Sequence, residues 1–198
     1  MENNDYTERQ IEIMEAAALR IDKFGIQELT IKNLSADLKL SEAALYRHFK
    51  GKTEILLGLL TYFIVEMNVR IATILEGEGE KESSELLREI FTSQLNTFVE
   101  NPSIVSVIFS EGIFTFNKRL SDKVNSMMAL MNNNINSLVT RGQEEGVYGK
   151  LLGADSITTI VMGSMKMVVL KWKLSGNKSD LVKDGKKILN GLIKMLSK

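Results

Sequence analysis

A group of polar and basic side chains between residues 30 and 52 has the chemistry needed to bind nucleic acid. Arg47 and Lys52 are cationic, and Tyr46 and His48 have polar tips that suit phosphate oxygens. Five basic residues stand against two acidic ones in this segment, a net charge of +3, whereas the formal net charge of the whole chain is zero. Positive charge is therefore local, which favours a defined DNA-binding surface over indiscriminate coating of nucleic acid.

Two short helices joined by a tight turn are predicted to position these side chains. Thr30 and Ser41 precede the two helical patterns, and a hydroxyl at that place accepts a hydrogen bond from an unpaired backbone N–H of the first turn. We expect the first helix to run from Ile31 to about Leu38 and the second from Glu42 to about His48. This arrangement is the one that lays a helix in the major groove of DNA.

The second helix has one apolar side and one polar side. Leu45 and Phe49, four residues apart, would be buried. Base reading would fall to the exposed side, since arginine suits O6 and N7 of guanine, glutamate accepts from N4 of cytosine, and alanine can touch a thymine methyl. An acidic first-turn residue such as Glu42 is about as typical of an ordinary helix start. The side chains expected to face outward are Glu42, Ala43, Ala44, Tyr46, Arg47 and His48.

Phosphate contacts would fix the register of the protein on DNA without reading sequence. Lys52 would stand at the start of the next helix, where a bound phosphate reverses the unfavourable interaction between a cation and the helix dipole. A solvated lysine is the alternative there, and packing beside Phe49 is the alternative for Tyr46 and His48. The residues predicted to contact DNA are Thr30, Lys32, Ser41, Glu42, Ala43, Ala44, Tyr46, Arg47, His48 and Lys52.

The string LYRHFKGKTEIL, from Leu45 to Leu56, is preceded by LTIKNLSADLKLS and resembles the DNA-binding segment of the TetR family of bacterial transcriptional repressors. The resemblance covers roughly the first sixty residues. It implies an all-α fold with a three-helix DNA-binding domain, residues 1–52, and a helical effector-binding and dimerisation domain, residues 53–198. The family usually has glycine where this chain has Lys39, and a non-glycine residue in a left-handed turn costs about 1 kcal/mol.

Composition argues against an enzyme or a metalloprotein. The chain has no cysteine, and its single histidine, His48, lies in the proposed DNA-binding segment, so a histidine-based zinc site or a Ser-His-Asp triad elsewhere is excluded. Gly51-Lys52-Thr53 mimics the end of a phosphate-binding P-loop, but Tyr46 stands where that motif needs glycine. We therefore expect no catalytic activity and no cofactor.

The sequence has no obvious targeting signal. Its N-terminal stretch MENNDYTERQ is acidic and polar, unlike a secretory signal, and the apolar run 157–170 is interrupted by Lys166 and too short to span a bilayer. We expect a cytoplasmic, nucleoid-associated protein of a bacterium or archaeon.

Helical periodicity extends along the whole chain and predicts about nine helices. Thr7 to Gln10 resembles a capping box for a first helix whose apolar stripe runs from Ile11 to Phe24. Ser83 or Ser84 would cap the helix that must stop before Pro102. The other predicted helices are 52–75, with Ile55, Leu56, Leu59, Leu60, Phe63 and Met67 inside, 102–112, 118–145 capped by Asn117, 154–174 and 179–197.

The C-terminal two-thirds holds most of the methionines, and methionine conforms to irregular apolar pockets. Ordinary core packing is the more frequent role of such residues. The candidates for binding an unknown small apolar effector are Phe98, Phe109, Phe114, Phe116, Met127, Met131, Met162, Met165 and Trp172.

The last two helices have broader apolar faces than one chain can cover, which predicts a four-helix homodimer interface, and the family resemblance implies the same. The expected interface residues are Ile157, Val161, Val168, Leu181, Ile188, Leu192 and Met195.

Together these features predict a homodimer that binds a pseudo-palindromic double-stranded DNA operator and represses transcription. The resemblance to the TetR family implies that a small apolar effector releases it from the operator. A nucleoid-organising or cell-division factor of the same fold is the alternative. A small-molecule or lipid-binding protein is the lesser alternative.

Overall fold

The computed structural model describes residues 6–77, 79, 81–110 and 117–197. Within them the chain is all-α, as predicted, and an isolated bridge between Tyr148 and Ser197 is the only β-type pairing that these residues show. A short 3-10 turn, Ile26–Glu28, follows the first helix. The nine described α-helices are α1 Glu8–Phe24, α2 Ile31–Asp37, α3 Glu42–Tyr46, α4 Lys52–Glu76, α5 Ser83–Glu100, α6 Pro102–Ile108, α7 Lys118–Glu144, α8 Ala154–Leu174 and α9 Leu181–Leu196.

The chain divides into two compact units. The first unit comprises residues 1–67 and 101–127, and the second comprises 68–100 and 128–198. Helices α4 and α7 therefore contribute residues to both. The two units are defined by which parts of the chain lie close together, and this does not test their function. The functional domains 1–52 and 53–198 therefore stay a prediction.

In the first unit, α1 packs against α2 and α6. The capping box is confirmed, because the Thr7 hydroxyl accepts from the Gln10 backbone while the Gln10 side chain accepts from the Thr7 backbone N–H at 3.0 Å. The predicted apolar stripe is wrong at its end, since Phe24 is 60% exposed. The guanidinium of Arg20 lies over its ring, 5.2 Å from the centroid, in a cation–π contact that shields one face from water.

Helix α4 is the central apolar helix of the chain. All six residues predicted to face inward, from Ile55 to Met67, are at most 7% exposed. By length and composition alone α4 is apolar enough to cross a membrane, but its inner side lies in the core. Its observed end at Glu76 is one residue beyond the predicted end.

In the second unit, α9 packs against α5 and α8. The predicted caps of α5 are wrong, because Ser83 and Ser84 are already helical and both are buried. The Ser83 hydroxyl instead donates to the Glu145 carboxylate, 3.0 Å away, and so joins two distant parts of the sequence. Helix α9 begins two residues later than predicted, where the Asp180 carboxylate accepts from the Lys183 N–H at 3.0 Å.

The loop between α7 and α8 is a core element rather than a surface connection. Tyr148 is fully buried, and its ring lies so close to Gly142 that a Cβ at this glycine would be 2.4 Å from it. Burial raises the pKa of Tyr148 to about 12. The backbone N–H of Gly149 donates to the Leu196 carbonyl at 2.7 Å, which holds the end of α9 against this loop.

The ion pair at the end of α7 predicts a pH dependence of stability. The hydrogen bond from Arg141, helped by that from Ser83, holds the pKa of Glu145 below its usual 4.5. A carboxyl group with a lowered pKa stabilises the fold above its unfolded-state pKa, and that contribution is lost as the pH falls through the folded-state value. We expect Glu145→Gln to lower the free energy of unfolding near neutral pH, and this difference from the wild type to shrink below 4.5.

Urea unfolding of both proteins across a pH series measures the difference. Glu144→Gln, a change at an exposed neighbour on α7, is the matched control. A deficit in Glu145→Gln that is the same at every pH would contradict the assignment.

Candidate DNA-binding surface

Both predicted helix caps of the DNA-binding segment are confirmed. The Thr30 hydroxyl accepts from the Asn33 N–H at 3.1 Å, and the Ser41 hydroxyl accepts from the Ala44 N–H at 3.1 Å. Each cap satisfies one of the backbone donors that a helix start leaves unpaired. Helix α3 is nevertheless shorter than expected, since it ends at Tyr46 and the chain continues in a tight turn through His48.

The turn between α2 and α3 takes a left-handed conformation at a residue other than glycine. Lys39 has φ 54°, and the next residue, Leu40, donates its N–H to the Ser35 carbonyl at 2.9 Å. The expected cost of about 1 kcal/mol for a non-glycine residue therefore applies here. The turn still closes, because the bond to Ser35 satisfies one of the last carbonyls of α2.

Two buried side chains anchor α3. Leu45 is fully buried and Phe49 is 7% exposed, as predicted. The ring of Phe49 packs near Gly58 of α4, where a Cβ would lie 3.3 Å from the ring and 2.8 Å from the sulfur of Met14. The sequence analysis did not predict this packing of Phe49 and Met14 against Gly58, although a glycine inside a helix is a signal of close approach.

The outward side of α3 is largely as predicted. Glu42, Ala43, Tyr46 and Arg47 are exposed, whereas Ala44 and His48 are half-buried. The flanking candidates Thr30, Lys32, Ser41 and Lys52 are also exposed, and Lys52 is the first residue of α4.

The contacts of all ten candidates with DNA stay a prediction. The structure brings them onto one segment of the first unit, and it leaves most of their side chains open to a partner.

Arg20 is a supporting residue that sequence reasoning missed. Its guanidinium donates to the Asp37 carboxylate at 2.7 Å and to the Glu28 carbonyl at 2.8 Å, so it joins α1, the 3-10 turn and α2. Asp37 is one of only two acidic residues in the segment 30–52. The pairing therefore also offsets negative charge beside the proposed DNA surface.

The candidate effector-binding residues lie mostly in the core. Phe109 and Met127 belong to the first unit and the other described candidates to the second, and Phe114 and Phe116 lie outside the described residues. Two clefts, of about 890 and 780 Å³, are lined by none of the seven candidates that the structure describes. Those that are buried are Phe98, Met127, Met131, Met165 and Trp172, while Phe109 and Met162 are half-buried. Their role in binding an effector stays a prediction.

Four of the seven predicted interface residues, Ile157, Val161, Val168 and Leu181, are at most 8% exposed within one protomer. The assignment of all seven to a dimer interface stays a prediction. Within the protomer, α9 packs on both α5 and α8. Leu192 is half-buried, and Ile188 and Met195 are exposed as an interface requires. Other exposed apolar residues on α8 are Ile160, Met167, Leu170 and Leu174.

Two sequence families match the chain. The N-terminal family of bacterial regulatory proteins of the tetR type matches residues 13–59, and the C-terminal region of YsiA-like proteins matches residues 63–195. The nucleoid occlusion factor SlmA of Vibrio campbellii is 27% identical over 175 residues, which cover 85% of this chain and 88% of that protein.

Solved structures support the same fold. The ketosteroid transcriptional regulator KstR2 of Mycobacterium tuberculosis has a TM-score of 0.83 at 18% identity over the full length of both chains. The transcriptional regulator FadR of Bacillus subtilis, solved with stearoyl-CoA, has a TM-score of 0.76 at 20% identity over 92% of this chain and 97% of that one.

The helix-turn-helix in the first unit and the helices that follow it define a DNA-binding transcriptional regulator. More particularly, the chain belongs to the TetR family. Regulators of this family bind DNA, form dimers and bind small molecules.

The different environments of Arg47 and Lys52 predict different effects on DNA binding. Arg47, on the exposed side of α3, should read bases, so Arg47→Ala should change the preferred sequence. Lys52 should contact a phosphate, so Lys52→Ala should weaken binding similarly on all duplexes and reduce the slope of log affinity against log salt by about one unit.

Selection from random duplexes, followed by fluorescence anisotropy at several salt concentrations, distinguishes the two effects. Lys183→Ala, a change at an exposed lysine of the second unit, is the matched control. Wild-type affinity and sequence preference in both test variants would refute the assignment of this surface.

Proposed function

We propose that the protein is a cytoplasmic homodimeric repressor that leaves a pseudo-palindromic operator when a small apolar effector binds. The observation that carries this proposal is the capped helix-turn-helix, whose exposed face presents Arg47 and Glu42, within a chain of the TetR family. A twofold dimer places two such helices on the same side of DNA, and half-sites must then be spaced to match.

The exposed apolar residues of α8 and α9 support dimerisation through a second copy of this chain. Met195 is 82% exposed, Leu174 79% and Met167 52%, and such residues are costly to leave in water as a continuous patch. Gly163 and Gly191 have no neighbouring atom within 4 Å of a Cβ position, so each leaves room for another helix to approach. Dimerisation within the family is consistent with this surface.

An acyl chain is the effector chemistry that we propose. The FadR of Bacillus subtilis was solved with stearoyl-CoA, and the YsiA-like match spans residues 63–195 of this chain. The second unit supplies flexible apolar side chains, among them Met131, Met162 and Met165, which conform well to a long hydrocarbon chain.

Coupling between effector and operator tests the proposal. A ligand that weakens DNA binding by some factor must itself be weakened by DNA by the same factor, and values of about 5- to 150-fold are typical. Stearoyl-CoA would be titrated calorimetrically into the protein with and without an operator obtained by sequence selection. We expect weaker stearoyl-CoA binding in the presence of operator, and no binding of free coenzyme A as the matched control.

Equal affinity for stearoyl-CoA with and without operator would refute release by this effector. Failure to recover any preferred duplex would refute the repressor function itself.

A nucleoid-associated factor is the second candidate function, and the extent of the match to SlmA favours it. Chromatin profiling in the source organism distinguishes the two candidates. A repressor should occupy a small number of promoters, whereas an occlusion factor should occupy many sites dispersed over the chromosome. Dispersed occupancy without change in transcript levels on deletion would overturn the repressor proposal.

A further inference from the structure

An open cleft of about 890 Å³ lies within the first unit, beside the DNA-binding segment. Its walls come from the start of α1, the chain after α3, one face of α4 and the first two turns of α7. His48 and Lys50 line it on the side of α3, and Arg119 and Lys123 line it on the side of α7. Three basic residues, Lys50, Arg119 and Lys123, therefore border one depression next to the helix-turn-helix, together with the acidic Glu54 and Asp122.

The Arg119 side chain is held in place at the rim of this cleft. Its Nη1 donates to the Glu54 carboxylate at 2.7 Å, which ties the first turn of α7 to the first turn of α4. The backbone N–H of Arg119 donates to the Asn117 side chain at 3.0 Å, so the helix start is fixed as well. An exposed ion pair of this kind contributes little to folding stability, and its main consequence here is to orient the guanidinium.

Most of the Arg119 guanidinium remains open to a partner. Its side chain is 64% exposed, and a guanidinium has five N–H donors. Within the part of the chain that the structure describes, Glu54 is the one hydrogen-bond acceptor that this guanidinium has. The neighbouring Lys118 is also exposed. The Arg119 guanidinium is therefore oriented, and most of its N–H donors have no acceptor among the described residues. Such a planar group suits a phosphate, which can accept two parallel N–H bonds from it.

We propose that the first turn of α7 is a second DNA-backbone contact, in which Arg119 binds a phosphate that flanks the bases read by α3. The cleft places Arg119 on the same depression as His48 and Lys50, which directly follow α3. Glu54 holds the guanidinium ready in the free protein and competes with the phosphate for it. This inference rests on DNA binding by α3, but it adds a residue more than 70 positions away in the sequence.

The two members of the ion pair give opposite results if this proposal is correct. Arg119→Ala should lower the affinity for a labelled duplex of random sequence about fivefold at low ionic strength and reduce the salt slope by about one unit per protomer. Glu54→Gln keeps an oxygen that can accept from the guanidinium but removes the competing negative charge, so it should leave the affinity unchanged or raise it. Arg119→Lys, which keeps the charge, should retain part of the wild-type slope.

Fluorescence anisotropy across a salt series measures these values, with circular dichroism to show that each variant is folded. Arg141→Ala, which breaks a similar arginine–glutamate pair in the second unit, is the matched control and should bind DNA like the wild type. Equal weakening by Arg119→Ala and Glu54→Gln would overturn the proposal, because it would show that the pair is only a structural tie.

The proposal can fail while the main function stands. If Lys52→Ala weakens binding and Arg119→Ala does not, α7 makes no DNA contact and the helix-turn-helix assignment is unaffected. If the wild type binds no duplex at low ionic strength, both the contact and the proposed function are overturned.

Discussion

The burial of Leu45 and Phe49 is the interaction on which the DNA-binding surface depends. Helix α3 has only five residues, and a helix of that length is not stable in water by itself. It is held by two apolar side chains, one fully buried and the other 7% exposed, that pack beneath it. Phe49 approaches α4 closely at Gly58, where a Cβ would lie 3.3 Å from the phenyl ring and 2.8 Å from the sulfur of Met14. One packing contact thus positions every side chain on the outer face of α3.

Polar bonds, some local and some between distant residues, then determine the conformation around Leu45 and Phe49. The caps at Thr30 and Ser41 start the two helices, and the Arg20 guanidinium ties α1 to α2 through Asp37. These groups bond to one another, and Glu42, Ala43, Tyr46 and Arg47 of the same segment are exposed. Similarly, in the second unit Ser83 and Arg141 both donate to the Glu145 carboxylate, and Tyr148 of the same unit is fully buried.

Features set by neighbours in sequence were predictable, and features set by distant contacts were not. The capping box at Thr7 and the inner face of α4 follow from spacing alone, and both are confirmed. Periodicity also marked α8 as apolar, but it could not tell which side the protomer itself would cover. Ile157 and Val161 therefore turned out to be core residues, whereas Met167 is exposed. The Arg20–Asp37 and Arg119–Glu54 pairs join residues 17 and 65 positions apart and leave no signal in any local pattern.

Charge distribution explains how a chain of zero net charge can bind DNA selectively. The net +3 of residues 30–52 is offset elsewhere, for example by the net −5 of residues 76–100. Non-specific affinity grows with the number of phosphates that are neutralised, so a surface with few cations binds random DNA weakly at physiological salt. We expect the base contacts proposed for α3 to supply a larger share of the total affinity in such a case, so that the ratio of specific to non-specific binding rises. A protein with few surface cations is therefore more selective, because its affinity for random DNA is low while its base contacts are kept.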